Sequence, residues 1–346
     1  MSVTIKDVAC MAETSTATVS KVLNGSSVIS ADTKERVLRA VKELSYQPNA
    51  RARSFACKNT QTLFFLARLN KDVAFENPHL FAILAGVEQA LHEKGYKLCL
   101  QSVTEKDACE SVASLIAQKA ADGVIVHASV MSKKLAALLR KEAFAHIVIG
   151  QPNFESRLCW VDTNNVLSGE LAAKHLLDLG KTEIGFIGGK PEDMISWHRL
   201  RGVRRALEER GIEPNSAYLK QGDSTIAEGY RLMRQLLKHQ ARPQAVVCAN
   251  NMVALGCMQA LHEKRVPVPD EMAVITFDDY PFSRITEPAL SVVNIDVFNL
   301  GRQAGEWVLE KIRKPKLEIQ AFTTLPELVV RGSTAAGGAG GMAIPR

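Results

Sequence analysis

The sequence contains no apolar run near the ~20 residues that a membrane-spanning helix needs. It opens on MSVTIKDVACMAE, where no basic stretch precedes an apolar one. A membrane protein and a secretory leader are therefore not expected. Cysteine pairing is lacking as well. The seven cysteines (Cys10, Cys57, Cys99, Cys109, Cys159, Cys248, Cys257) are odd in number, and none stands in a C-x-x-C spacing. That pattern points to free thiols in a reducing cytoplasm, and away from a disulfide framework or a zinc site. Signatures of catalysis are missing too. There is no G-x-x-x-x-G-K-[ST] and no G-x-S-x-G. The glycines of GFIGGK (Gly185–Lys190) do not follow G-x-G-x-x-G and run directly into Pro191. His175 and His262 fall in the middle of helical patterns among charged neighbours, as solvated side chains do. Asp278 and Asp279 are adjacent at a strand end, so their side chains leave on opposite faces and make a poor acid–base pair. Neither an enzyme nor a bound cofactor or metal is expected.

What is present is unevenly distributed. A chain of 346 residues is too long for one small core and implies two or three domains. Residues 1–60 hold nine Lys/Arg against five Asp/Glu, a net +4 out of +6 for the whole chain. A basic N-terminal module suits a polyanionic partner. Three short helical patterns lie inside it, at about 5–12, 16–23 and 32–44. Ile5, Val8, Ala9 and Ala12 share one face of the first; Val37, Leu38, Val41 and Leu44 recur at helical spacing in the third. Ser15 can cap the second helix, and Ser30 or Asp32 the third. Only Glu13, Thr14 and Ser15 separate the first two. So tight a junction forms a helix-turn-helix, whose second helix can enter a DNA major groove. In STATVSKVLNG (Ser15–Gly25), Val19, Val22 and Leu23 would pack inward, while Thr16, Ala17, Ser20 and Lys21 would face out. Hydroxyls, a methyl and one cation suit base edges, thymine methyls and phosphates. The pattern alone fits a three-helix bundle without a DNA role equally well.

The phrases TIKDVA, TATVSKVLNG, ISADTKERV and ELSYQPNARARS, in that order and nearly without gaps, resemble the DNA-binding headpiece of the lactose-repressor (LacI) family. The resemblance implies DNA contacts from Thr4, Ser15, Thr16, Ala17, Thr18, Ser20, Lys21 and Asn24. It also gives QPNARARSFA a role. Pro48 stops the third helix and Asn49 can cap a new one. In the family this is a hinge helix that orders on operator DNA, here carrying Asn49, Arg51, Ala52 and Phe55. Phe55 stands where the family usually has Leu, still an apolar wedge for a minor-groove base step. Glu13 replaces a glycine usual in the turn; a left-handed backbone there would be strained.

Beyond Thr62, strands and amphipathic helices alternate, the mark of parallel α/β sheets. The expected strands are Leu63–Ala67, Lys97–Val103, Gly123–His127, His146–Gly150, Glu183–Gly188, Gln244–Cys248 and Met272–Phe277. GVEQALHEKG (Gly86–Gly95) is echoed by GVRRALEERG (Gly202–Gly211), which suits two similar lobes, each a doubly wound sheet whose helices end in a left-handed glycine. Two such lobes leave a cleft at the carboxyl ends of their strands. The resemblance extends over this region, to about residue 332, and implies a core like a periplasmic sugar-binding protein. The expected organisation is a headpiece over 1–47, a hinge and linker over 48–60, and an effector-binding core over 61–333. One lobe takes about 61–161 and 292–321, the other about 162–291 and 322–333. A Gly/Ala-rich tail, 334–346, is expected to be disordered.

Cleft residues carry over from the resemblance one by one. Arg199 falls in the family's R-x-x-G effector anchor, and a guanidinium can hold a carboxylate, a phosphate or vicinal hydroxyls. Asp278 matches an aspartate that accepts from ligand hydroxyls, and Asn250 a polar contact of some members. Asn164 stands where many members have Asp. His79 and Leu80 replace a common aromatic pair, and Ser224 another aromatic, which reduces ring stacking. His127, Ser129, Asp193, Ser196 and Trp197 are expected to line the cleft. The implied protein is a cytoplasmic, nucleoid-associated homodimeric repressor on a pseudo-palindromic operator. Its effector would be a sugar or sugar derivative, and Arg199, which suits an anion, admits a phosphorylated one. A periplasmic-type sugar binder without a DNA role is the alternative, and the basic headpiece argues against it.

Overall fold

The computed structural model describes residues 3–23, 28–46, 59–69, 71, 78–191 and 193–335. The expected contacts at Asn24, Asn49, Arg51, Ala52 and Phe55, and the hinge itself, lie outside the described residues.

In the headpiece, α1 (Ile5–Met11), α2 (Thr16–Leu23) and α3 (Ala31–Glu43) enclose a small core. Val8, Ala9, Ala12, Val19, Val22, Val37 and Ala40 are buried in it, with Leu23, Val41 and Leu44 packed at its edge. Leu38, expected inward, is exposed; Ala40 is buried instead, because a bundle this small has room for only a narrow stripe of α3. Each helix start is closed locally. The Asp7 carboxylate accepts from the Thr4 backbone N–H at 2.7 Å and from its hydroxyl at 2.8 Å. Ser15 Oγ accepts from the Thr18 N–H at 3.1 Å, and Ser30 Oγ from the Thr33 N–H at 3.4 Å. Glu13 adopts φ +49°, the left-handed region that costs a side chain about 1–2 kcal/mol.

The remainder is built on two six-stranded sheets. The strands in chain order are β1 (Thr62–Ala67), β2 (Lys97–Ser102), β3 (Gly123–His127), β4 (Ala145–Ile149), β5 (Trp160–Thr163), β6 (Ile184–Ile187), β7 (Leu219–Lys220), β8 (Ala245–Cys248), β9 (Ala273–Phe277), β10 (Ser291–Asn294), β11 (Gln320–Thr324) and β12 (Glu327–Val329). The first sheet runs β11-β5-β4-β3-β1-β2 and the second β12-β10-β9-β8-β6-β7. Every pairing is parallel except β12 on β10. All seven expected strands are present within two residues at either end. The five not anticipated, β5, β7, β10, β11 and β12, are two to five residues long, and β5 (WVDT), β7 (LK) and β11 (QAFTT) lack the continuous apolar run that marks the anticipated β3, β4, β8 and β9.

The chain crosses between lobes three times, after β5, after β10 and after β11. Each crossing falls two or three residues later than expected: Asp162, Thr163 and 322–324 belong to the first sheet, and 292–294 to the second. A strand keeps hydrogen bonding to its sheet beyond the point where its composition changes. The repeated phrase has a packing cause. A Cβ on Gly86 would strike the Phe298 carbonyl of helix Val297–Arg313, and one on Gly202 the Val166 carbonyl of helix Asn165–Asp178. In each lobe, glycine lets two helices cross backbone to backbone over the sheet. The described core also runs past the expected boundary at residue 333. Thr334 is buried, and its hydroxyl meets Ser291 at 2.6 Å and His175 at 2.8 Å. His175 is therefore a half-buried structural partner rather than a solvated side chain.

Candidate functional site

On the headpiece, α2 presents Thr16, Ala17 and Lys21 to solvent while Val19 and Val22 are buried. Ser15 and Thr18 turn their hydroxyls toward each other at 2.9 Å, and Ser20 is half-buried. The exposed N-terminal part of α2 has no acid in its first turn and a lysine in its last, so a phosphate or base edge meets no negative side chain there.

In the core, the chain order reverses between β1 and β3 in one sheet and between β6 and β8 in the other. Open α/β sheets bind ligands at such switch points, outside the carboxyl ends of the strands. The two sets of strand ends line a cavity of about 300 Å³ between the lobes. From the first lobe come His79, His127 at the end of β3, and Asp162 and Thr163 in β5; from the second come Arg199, Ser224, Asn250, Asp278 and Tyr280.

Arg199 anchors the site. It projects from helix Met194–Glu209, is 5% exposed, and lies with its guanidinium 4.1 Å from the centre of the Phe277 ring. Its nitrogens donate to Asn165 Oδ1 at 3.2 Å, to the Ala249 carbonyl at 2.7 Å and to Asp278 Oδ2 at 3.4 Å. Asp278 follows β9 with φ +73°, a backbone strain of the kind found at functional sites. It is held there by its own N–H on the Val293 carbonyl at 2.9 Å and by Asn251 Nδ2 on its carbonyl at 2.9 Å. Across the cleft, His79 Nε2 lies 2.7 Å from Asp278 Oδ2, and its ring meets Tyr280 edge-on at 4.9 Å. Burial works to raise the Asp278 carboxyl, but His79 and Arg199 outweigh it and hold it below the usual carboxylate range. Its second oxygen is buried and has no hydrogen-bond partner among the described residues. Asp279, as expected, leaves on the other side and pairs with Arg284 and Arg331 at 2.7 Å each.

Asp162 behaves differently. Burial raises its carboxyl despite the backbone N–H groups of Gln151 at 2.8 Å and Thr163 at 2.7 Å. Burial likewise lowers His127 to about 4, so this imidazole is neutral at pH 7. Its Nδ1 accepts from the Ser129 backbone N–H at 3.3 Å, which leaves Nε2–H as the donor.

Of the residues anticipated from sequence, Arg199, Asp278, Asn250, His79, His127, Asp193, Ser196 and Ser224 line this cavity. Ser129 lines an adjoining chamber. Three do not belong to the lining. Asn164 caps helix Asn165–Asp178 by accepting from the Leu167 N–H at 3.0 Å, and its neighbour Asn165 takes the cleft position. Leu80 is buried in the first lobe's core. Trp197 faces solvent beside the Arg201 guanidinium at 5.0 Å. Each lies one residue from a residue of the cleft, and one step around a helix turns a side chain by about 100°. Asp162, Thr163, Asn165, Asn251 and Tyr280 were missed. Their only signal was position, in polar clusters that end strands: VDTNN, CANN and TFDDY. Tyr280 also supplies a cleft aromatic that the replaced positions had seemed to remove.

The family model for bacterial regulatory proteins of the lacI family matches residues 4–49, and one for a periplasmic binding protein-like domain matches residues 173–334. The HTH-type transcriptional repressor PurR of Haemophilus influenzae is 32% identical over 334 residues, covering 95% of this chain and 98% of that protein. PurR of Mannheimia succiniciproducens is 34% identical over the same coverage. Among solved structures, the lac repressor dimer bound to operator and the anti-inducer ONPF is 25% identical with a TM-score of 0.82, covering 97% of this chain and all of that one. A complex of the transcriptional regulator CelR with cellobiose is 29% identical with a TM-score of 0.73, covering 96% of this chain and 99% of that one. These relatives are transcription regulators rather than enzymes. The chain belongs to the lacI family of bacterial regulatory proteins, with a helix-turn-helix headpiece and a two-lobed, periplasmic-binding-protein-like core.

Proposed function

We propose that this protein is an operator-binding repressor of the bacterial cytoplasm, working as a homodimer whose hold on DNA is set by a sugar or sugar derivative in the interlobe cleft. The observation that carries the reading is Arg199, buried between the lobes and sharing the Asp278 carboxylate with His79 from the opposite lobe. A guanidinium and a carboxylate side by side satisfy both the oxygen acceptors and the hydroxyl donors of a polyol, and the guanidinium admits an anionic group. Exposed Thr16, Ala17 and Lys21 on α2 supply the DNA face. A ligand that draws the lobes together changes the presentation of two headpieces to two half-sites, so effector and operator affinities are linked reciprocally.

The test is fluorescence anisotropy of the full chain on fragments from upstream of its own gene, with and without sugars, sugar phosphates and sugar acids. Arg199→Ala should keep operator binding and lose the effector response. An unchanged response would refute the site, and no DNA binding at moderate salt under any ligand condition would refute the repressor reading.

A further inference from the structure

A second cavity, of about 320 Å³, adjoins the first and shares with it a wall that includes His127, Asp162, Asn165 and Ile195. The chemistry changes from one chamber to the next. The inner chamber holds Arg199; the outer has no lysine or arginine among the described residues that line it, and to the carboxylates of Asp162 and Asp193 on the shared wall it adds Glu105. Two residues with amide side chains, Gln151 and Asn153 on the loop after β4, line the outer chamber. That loop is tied to the shared wall, because the Gln151 backbone N–H donates to Asp162 at 2.8 Å. His127, with Nδ1 engaged by Ser129 and Nε2–H left as a donor, stands between the chambers. Met131, Met194 and Ile195 add apolar surface, suited to the C–H face of a sugar ring.

We infer that the effector is a two-unit polyhydroxylated molecule, with one unit on Arg199 and Asp278 and a second, uncharged unit in the outer chamber on Gln151 and Asn153. This rests on the sugar-effector reading above. It also orients the ligand. An anionic substituent belongs in the inner chamber beside Arg199, since in the outer chamber it would face Glu105, Asp162 and Asp193 with no lysine or arginine among the described lining residues. The inner chamber alone is at the lower end of the ~300–1,000 Å³ typical of ligand sites, and the second chamber extends it along one axis.

The experiment is calorimetric titration of the full chain with single-unit probes (glucose, galactose, gluconate, glucose 6-phosphate) and two-unit probes (cellobiose, maltose, lactose, sucrose and their 6-phosphates). At least one two-unit probe should bind tenfold or more tighter than every single-unit probe. The double variant Gln151→Ala/Asn153→Ala, which keeps the backbone N–H on Asp162, should weaken that probe about tenfold and leave single-unit binding within twofold. Arg199→Ala should weaken both classes. Single-unit probes binding as tightly as all two-unit probes would overturn the inference and leave the sugar-effector reading standing. So would equal losses for both classes in the double variant. Absence of binding by either class would overturn both.

Discussion

Replacing His79 with alanine removes the contact that ties the first lobe to the Asp278 carboxylate, and two measurable quantities should then move in opposite directions. The imidazole Nε2 lies 2.7 Å from Asp278 Oδ2, with the two side chains 23% and 6% exposed. A hydrogen bond to a charged group contributes about 1.5–3 kcal/mol. Arg199 remains on the same oxygen in the variant and His79 is partly open to solvent, so a loss of about 1–2 kcal/mol is expected. For a core of this size that lowers the unfolding temperature by a few degrees. Effector affinity should rise. A ligand hydroxyl that takes the Asp278 oxygen must first displace His79, and relief of 1–2 kcal/mol corresponds to roughly 5–30-fold tighter binding at tenfold per 1.4 kcal/mol. Differential scanning fluorimetry and calorimetric titration of one preparation read both quantities. His79→Gln, which keeps an N–H donor, should fall between. Weaker effector binding by His79→Ala would refute the reasoning and make His79 a ligand contact; unchanged stability would mean that the interlobe pair contributes nothing.

Glu13→Gly should stabilise the headpiece by about 0.5–1 kcal/mol, because relief of left-handed strain exceeds the entropy cost of glycine. The exposed contact to Arg36, at 3.9 Å, adds little. Slower hydrogen exchange of α1–α3 amides in the full chain checks this, and faster exchange would contradict it. Gly169→Ala would drive a Cβ into the Arg199 carbonyl, separating the two helices that position the guanidinium. A loss of about 2 kcal/mol or more and weaker effector binding are expected, and an unaltered melting temperature would count against it. Burial depresses His127 from 6.5 to about 4, so its contribution to stability is full above pH 6.5 and is lost as the pH falls toward 4. His127→Gln should flatten the acid limb of the stability curve in that window; an identical slope would show that His127 does not titrate there.

The sequence by itself determined the local features of this protein. The three headpiece helices, their Ser15 and Ser30 caps and the inward Val19 and Val22 were legible because each depends on neighbours within four residues. Strands such as β3, β4, β8 and β9 were legible for the same reason: they are largely apolar runs between turn signals. Arg199 and Asp278 could be named from motif position. Their meeting could not, since the two residues come from different elements and join only when two sheets face each other. Tertiary structure alone decided that His79 shares their carboxylate and that Tyr280 closes the wall. It also decided that Asn165 rather than Asn164, and Ser196 rather than Trp197, face the cleft. A helix turns each successive side chain by about 100°, so a choice between adjacent residues rests on the register of packing, which no local pattern contains. The crossing points between lobes were set the same way, by hydrogen bonding across each sheet.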